Sequence, residues 1–286
     1  MGSTEIIVGD AVTGMSVESK DALAVFGRNN IYVLYGKTKD DFNLTMFYTG
    51  SGAVDSTVEK MQTTIFLDDR GLTSLGATIN YGDFKQSIIG LGSFQFGGEW
   101  GKSFSQLEAN MILDSANDNG INFIDTAECY GDHLSEELVG KAVSANRSNW
   151  IIATKFGHKF NSHMNRTPNW EPKQVRSQLE NSLKALKTDY IDLYQFHSGS
   201  NEEFNTDGLW TELDKQVQKG KIRYLGISLQ NALLQNGDML QIYKAKEVKA
   251  RAVQVVYNIV SRDAENILFP LCEKEGLGVI TRVPLA

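Results

Sequence analysis

Four residues near the middle of the chain have the types needed for one acid–base device: Asp125, Tyr130, Lys155 and His197. A free phenol has a pKa of about 10, so it holds its proton firmly at neutral pH. A neighbouring ammonium stabilises the phenolate and is expected to lower that value. A carboxylate beside the ammonium keeps it charged despite burial. A neutral imidazole can donate a hydrogen bond to a carbonyl oxygen and orient it. Together these groups make a general acid that protonates a developing alkoxide while hydride arrives at carbon. Taken singly, each residue has a plainer explanation: a turn, a solvated charge, a packed ring, a satisfied structural histidine. The case for chemistry rests on where all four fall.

They fall at the ends of apolar runs. Residues 121–125 end on Asp125, and Tyr130 follows in the next loop. Residues 150–155 end on Lys155, and residues 190–197 end on His197. Similar short runs occupy 88–91, 222–227, 252–257 and 278–283. Each reads as a parallel strand buried on both faces. The segments between them read as helices. Val175, Leu179, Leu183 and Leu186 share one helical face. Ser105 and Glu108 form a capping-box pattern that opens the first helix, and Gly120 closes it. Ser135 with Glu136 and Glu137 is expected to open the second, placing negative charge at its positive end.

Repeated strand–helix units imply an α/β fold with a parallel sheet and right-handed crossovers. An open doubly wound sheet and a closed barrel both satisfy that pattern. Gly90 and Gly92 begin a dinucleotide fingerprint, but Gln95 stands where its third glycine is required. The following helix also starts too late to receive a pyrophosphate. A barrel is therefore expected, with its reactive residues gathered at the C-terminal ends of the strands.

Residues 87–286 resemble the aldo-keto reductase family. The likeness is carried by Ile-Gly-Leu-Gly-Ser-Phe at 89–94 and Gly-Ile-Asn-Phe-Ile-Asp-Thr-Ala-Glu-Cys-Tyr-Gly at 120–131. It continues through Ile-Ile-Ala-Thr-Lys at 151–155, Asp-Tyr-Ile-Asp-Leu-Tyr-Gln-Phe-His at 189–197 and Gly-Lys-Ile-Arg-Tyr-Leu-Gly-Ile-Ser at 220–228. The resemblance implies a (β/α)₈ TIM barrel that reduces an aldehyde or ketone to an alcohol by hydride transfer from NADPH, with NADH as the alternative. It makes Tyr130 the acid, Lys155 and Asp125 its tuning pair, and His197 the group that orients the carbonyl. It assigns Gly92, Ser93, Phe94 and Asp125 to the nicotinamide ribose side, and Ser228 and Gln254 to the carboxamide. Arg282 stands where many members carry a stacking aromatic ring, and Pro284 and Leu285 follow it on the cofactor side. Phe96, Trp100 and Phe156 sit in rim loops and are candidates for an apolar substrate wall, with loop packing as the equal alternative.

The resemblance also implies that strand seven ends near Ala286. The last strand–helix unit, and the basic residues that select NADPH over NADH, are then expected outside these 286 residues. That leaves a second functional reading, a catalytically impaired truncated barrel acting as a binding or structural module. Residues 1–86 read as a small β-rich region of unknown role. Ile31 to Tyr35, Phe42 to Tyr48 and Ile65 to Leu67 are strand-like, while residues 54–61 hint at a helix. A net charge of −7 argues against a nucleic-acid partner. No apolar run approaches a membrane span. Two widely separated cysteines and no evident signal segment suit a cytoplasmic protein, and an oligomer stays open. The spacing of Cys129, His133, His158 and His163 fits no ordinary zinc pattern, so no metal is expected.

Overall fold

The computed structural model describes residues 89–99 and 101–284, and before them the strands that lie between Val12 and Ser87. The chain divides into two compact units, Met1–Ile89 and Gly90–Ala286. The first contains an antiparallel meander of Val12–Ser19, Ala22–Gly27, Asn30–Tyr35 and Asn43–Thr49. Glu59–Lys60, Thr64–Asp68 and Gly71–Leu75 form a second sheet, and Thr78–Tyr81 pairs with Phe84–Ser87. Ala24, Phe26, Ile31 and Tyr32 are buried there. Of the segment expected to be helical, Glu59–Lys60 is strand, and residues 54–58 and 61 lie outside the described residues.

The second unit is a parallel sheet of seven strands in chain order. They are β1 (Gly90–Gly92), β2 (Phe123–Asp125), β3 (Ile151–Phe156), β4 (Ile191–His197), β5 (Ile222–Ser228), β6 (Ala250–Val256) and β7 (Gly278–Arg282). With helices between the strands, this is a (β/α)₈ TIM barrel carried as far as its seventh strand. β3 and β4 are buried almost throughout, as strands covered on both faces must be. Each strand lies within about two residues of its expected place. A hairpin of His158–Ser162 and Asn165–Pro168 was not expected, because those residues lack apolar alternation. Among the described residues no helix is long and apolar enough to cross a membrane.

Register is what gathers the rim. Gly92 pairs with Asp125, Lys155 with Gln195, His197 with Ser228, and Ser228 with Gln254. In a parallel sheet all these strand ends point the same way, so the pairs form one arc. At the opposite rim Asp192 is fully buried. Its carboxylate accepts hydrogen bonds from Arg147 at 2.6 Å, Arg223 at 2.7 Å and the Ile152 N–H at 2.9 Å.

The helices explain the spacing of the strands. α1 (Gln106–Asp118) opens with the expected capping box, in which the Glu108 carboxylate accepts from the Ser105 N–H at 2.8 Å. α3 (Pro172–Ala185) has Pro at its first position, and Val175, Leu179, Leu183 and Leu186 all face the core. α2 (Leu134–Val143) carries Glu136 and Glu137 in its first turn, as expected, but differs in its cap. Its cap is His133 in a left-handed conformation, and Ser135 and Glu136 are fully buried. Ser135 donates to the Ser93 carbonyl at 2.7 Å, and Glu136 accepts from the Thr154 hydroxyl at 2.6 Å. The helix start docks onto the strands, so these side chains join buried hydrogen bonds instead of facing solvent.

α2 also meets the end of α3 backbone to backbone. A Cβ on Gly140 would stand 2.5 Å from the Ala185 carbonyl oxygen. Gly140→Ala is expected to cost about 1–3 kcal/mol by overpacking. Exposed Lys141→Ala should stay within about 0.5 kcal/mol. Urea unfolding of the two variants checks the pair, and equal stabilities would refute the close approach.

Candidate active site

β3 carries Lys155 into the barrel with 1% of its surface exposed. Its ammonium donates to Asp125 Oδ2 at 2.7 Å, to the Thr126 carbonyl at 2.7 Å and to Tyr130 Oη at 3.2 Å. Three donors therefore meet three acceptors, which is what a buried ammonium requires. Burial opposes the charge, but Asp125 and Tyr130 more than offset it, and the Lys155 pKa rises above its ordinary value. Asp125 Oδ1 accepts from Gln195 at 3.2 Å and Gln254 at 2.8 Å. Tyr130 is held between two rings, with Phe94 edge-on at 4.9 Å and His197 at 6.1 Å.

The sign at Tyr130 corrects the sequence-based expectation. Burial pushes the phenol pKa up, and the Lys155 ammonium pulls it down by less. The phenol thus keeps its proton near neutrality as a hydrogen-bond donor. Burial, then Lys155 and His158, holds His197 well below the ordinary histidine range, so its imidazole is neutral. Cys129 Sγ lies 3.7 Å from His197 Nδ1.

The residues expected to meet a cofactor line the same arc. Among the described residues nothing lies within 4 Å of a Cβ built on Gly92, beside its partner Asp125. Ser93 is fully buried, and its N–H and hydroxyl both donate to the Asp125 carbonyl, at 2.9 and 3.0 Å. It shapes the loop and has no donor left over. Ser228 donates to Gln254 Oε1 at 3.2 Å. Arg282 ends β7 with one guanidinium nitrogen 3.5 Å from the Leu229 carbonyl. Its Nε is buried with no hydrogen-bond partner among the described residues. Pro284 is exposed. Leu285 and Trp100 lie outside the described residues. Phe96 and Phe156 are 4% and 0% exposed. Phe96 packs on Phe104, and Phe156 on Trp170, Tyr194, Phe196 and Trp210, so both rings sit in core packing and line no open wall.

Residues 88–286 match the Aldo/keto reductase family. This chain belongs to that family. Among its relatives, an uncharacterized oxidoreductase of Bacillus subtilis is 34% identical over 206 residues, which cover 71% of this chain and 62% of that protein. A probable aldo-keto reductase of Glycine max is 32% identical, over 71% of this chain and 57% of its own length. The chain thus spans about three fifths of the curated relatives it matches. The holo form of an aldo-keto reductase from Bacillus halodurans superposes with a TM-score of 0.61 at 30% identity, covering 72% of this chain and 64% of that one. An aldo-keto reductase from Klebsiella pneumoniae in complex with NADPH gives 0.58 at 27%, covering 74% and 69%.

In this aldo/keto reductase chain the structure also brings in Gln195 and Glu128, which sequence reading gave no role, and groups residues whose spacing alone suggested nothing. Gln195 lies two residues before His197 on β4, and strand alternation alone could have placed it on the same face. Glu128, Cys129 and His158 come together with His197 from three separate segments, which no local spacing reveals. Glu128 is buried, and burial together with nearby Glu136 pushes its carboxyl up to about 8.

Lys155→Met would leave Asp125 without its ammonium. The expected cost is about 3–5 kcal/mol, read from denaturant unfolding at neutral pH. A loss below about 1 kcal/mol would show instead that water compensates the pair.

Proposed function

We propose that the barrel unit reduces a small aldehyde or ketone to an alcohol with a nicotinamide cofactor, NADPH in preference, and that Tyr130 is the proton donor. The observation that carries this reading is the Lys155 ammonium, placed 2.7 Å from Asp125 and 3.2 Å from the Tyr130 hydroxyl. The residues present suit the nicotinamide end of such a cofactor. Among the described residues, space is open beside Gly92. Ser228 and Gln254 stand in register and offer the polar atoms that a carboxamide needs. The complex of the related Klebsiella enzyme with NADPH supports the choice of cofactor.

When bound, the nicotinamide supplies the hydride, and with it two electrons, to the carbonyl carbon. The chain supplies the proton. Tyr130 Oη donates it to the carbonyl oxygen, which becomes the alcohol hydroxyl. The resulting phenolate is held by Lys155 until it is reprotonated from solvent. Lys155 stays charged because Asp125 faces it, and Asp125 stays in place because Gln195 and Gln254 hold its other oxygen. Neutral His197 donates an N–H to the same carbonyl oxygen and fixes its direction. Gly92, Phe94, Ser228, Gln254 and Arg282 would hold the cofactor, with Pro284 and Leu285 beyond β7. Ser93 acts by positioning the loop.

Reduction of a simple aldehyde, followed by NADPH absorbance, tests the proposal. Tyr130→Phe should lower kcat by about 10²–10⁴-fold with the fold intact by circular dichroism. Turnover within about twofold of the parent would remove Tyr130 from the role.

A further inference from the structure

Against the wall of this site, Glu128, Cys129, His158 and His197 bring four ligand-capable atoms within 4.8 Å of one another. Cys129 Sγ and His197 Nδ1 are 3.7 Å apart. Zinc bonds sulfur at about 2.3 Å and imidazole nitrogen at about 2.0–2.1 Å, so a tetrahedral centre holds S and N about 3.5 Å apart. Closing the whole set around one ion would move its members by about an ångström.

Two of the four residues carry a buried polar atom without a partner among the described residues. Glu128 is 3% exposed, and its Oε2 has no hydrogen-bond partner among the described residues. The same holds for His158 Nδ1. Unpartnered polar atoms that are buried side by side cost free energy unless something joins them. A thiol hydrogen bond between Cys129 and His197 would account for those two residues and leave the unpartnered atoms of Glu128 and His158 unanswered.

The surroundings hold the donors in place. Glu128 Oε1 accepts from the His158 N–H at 3.1 Å, which ties the two segments together. Arg166 donates to the Cys129 carbonyl at 3.1 and 2.9 Å. Ligands fixed from behind in this way are characteristic of metal sites. Of the cations that bear on the cluster, Arg166 pairs with Glu99 and Lys155 with Asp125, and Arg282 also bears on His197. Burial keeps both imidazoles neutral, the form that coordinates.

We propose that Glu128, Cys129, His158 and His197 form a four-coordinate site for a zinc-class divalent cation. On binding, the Cys129 thiol and the Glu128 carboxyl each release a proton to solvent. The resulting thiolate and carboxylate balance the two charges of the ion, and each histidine contributes one ring nitrogen. Because His197 also faces Tyr130, the ion would tie up a residue of the site described above.

Cobalt(II), which reports its coordination in absorption, tests this directly on the reduced full chain. A single equivalent should give a near-ultraviolet thiolate-to-cobalt band and the intense visible bands of four-coordinate cobalt, and zinc should displace it. Cys129→Ser should abolish the near-ultraviolet band. His158→Ala and Glu128→Gln should each weaken binding about tenfold or more, since loss of even an outer-shell partner costs about 10–100-fold. Cys272→Ser should change nothing. Circular dichroism selects the variants that fold, and any one of the three ligand variants suffices. No band at millimolar cobalt, a band that survives Cys129→Ser, or binding undiminished in His158→Ala would overturn the site.

Discussion

A buried ammonium is the constraint around which this rim is organised. An uncompensated charge of that kind costs several kcal/mol in a protein interior. Lys155 avoids the penalty only by meeting Asp125, the Thr126 carbonyl and Tyr130 together. Asp125 in turn needs amide donors for its second oxygen, and these come from β4 and β6. Satisfying one lysine therefore requires four strands to hold their register. The arrangement that makes the interior tolerable is the one that presents the phenol.

The two ends of the barrel treat charge differently. Around Asp192 the carboxylate is closed off by two guanidinium groups, which also stack on Tyr190 at 4.3 and 3.9 Å. Nothing in that cluster is left to react, as suits the face of a barrel that serves stability. At the other end Lys155 is satisfied, but the phenol it touches keeps its proton, and the nearby imidazole is neutral. Burial decides the direction of both shifts. The ammonium pulls the phenol toward acidity and sets where the phenolate would be stabilised, and burial outweighs that pull.

How much of this was legible depended on the range of the signal. Asp125, Lys155 and His197 were visible because each ends an apolar run, and a parallel sheet must bring such ends together. α3 was visible because Val175, Leu179, Leu183 and Leu186 repeat at helical spacing. The acidic start of α2 was legible from Glu136 and Glu137, but the burial of Ser135 and Glu136 was not, because tertiary docking leaves no mark on a local rule about helix starts. Phe96 and Phe156 follow the same lesson, since an aromatic next to a rim residue is drawn inward wherever neighbouring rings can cover it. The grouping of Glu128 and Cys129 with His158 and His197 depends on how one loop, a hairpin strand and the end of β4 settle against one another, and it leaves no periodic trace. Sequence thus named the charged centre and left out Gln195 beside it.

The loop after β2 shows why the centre stays in place. Gly131 has a left-handed backbone and lies against Gly97 so closely that any Cβ there would collide with the Gly97 carbonyl. That contact fixes the loop just after Tyr130, while the Phe94 ring fixes the phenol from the side and Lys155 fixes its oxygen. The Arg166 bonds to the Cys129 carbonyl anchor the residue just before it. A hydroxyl constrained on every side has little reorganisation left to perform when charge develops nearby, and such preorganisation is usually a large part of electrostatic stabilisation. Here a glycine–glycine contact and one arginine hold the backbone on either side of the phenol, while Phe94 and Lys155 hold the ring and its oxygen.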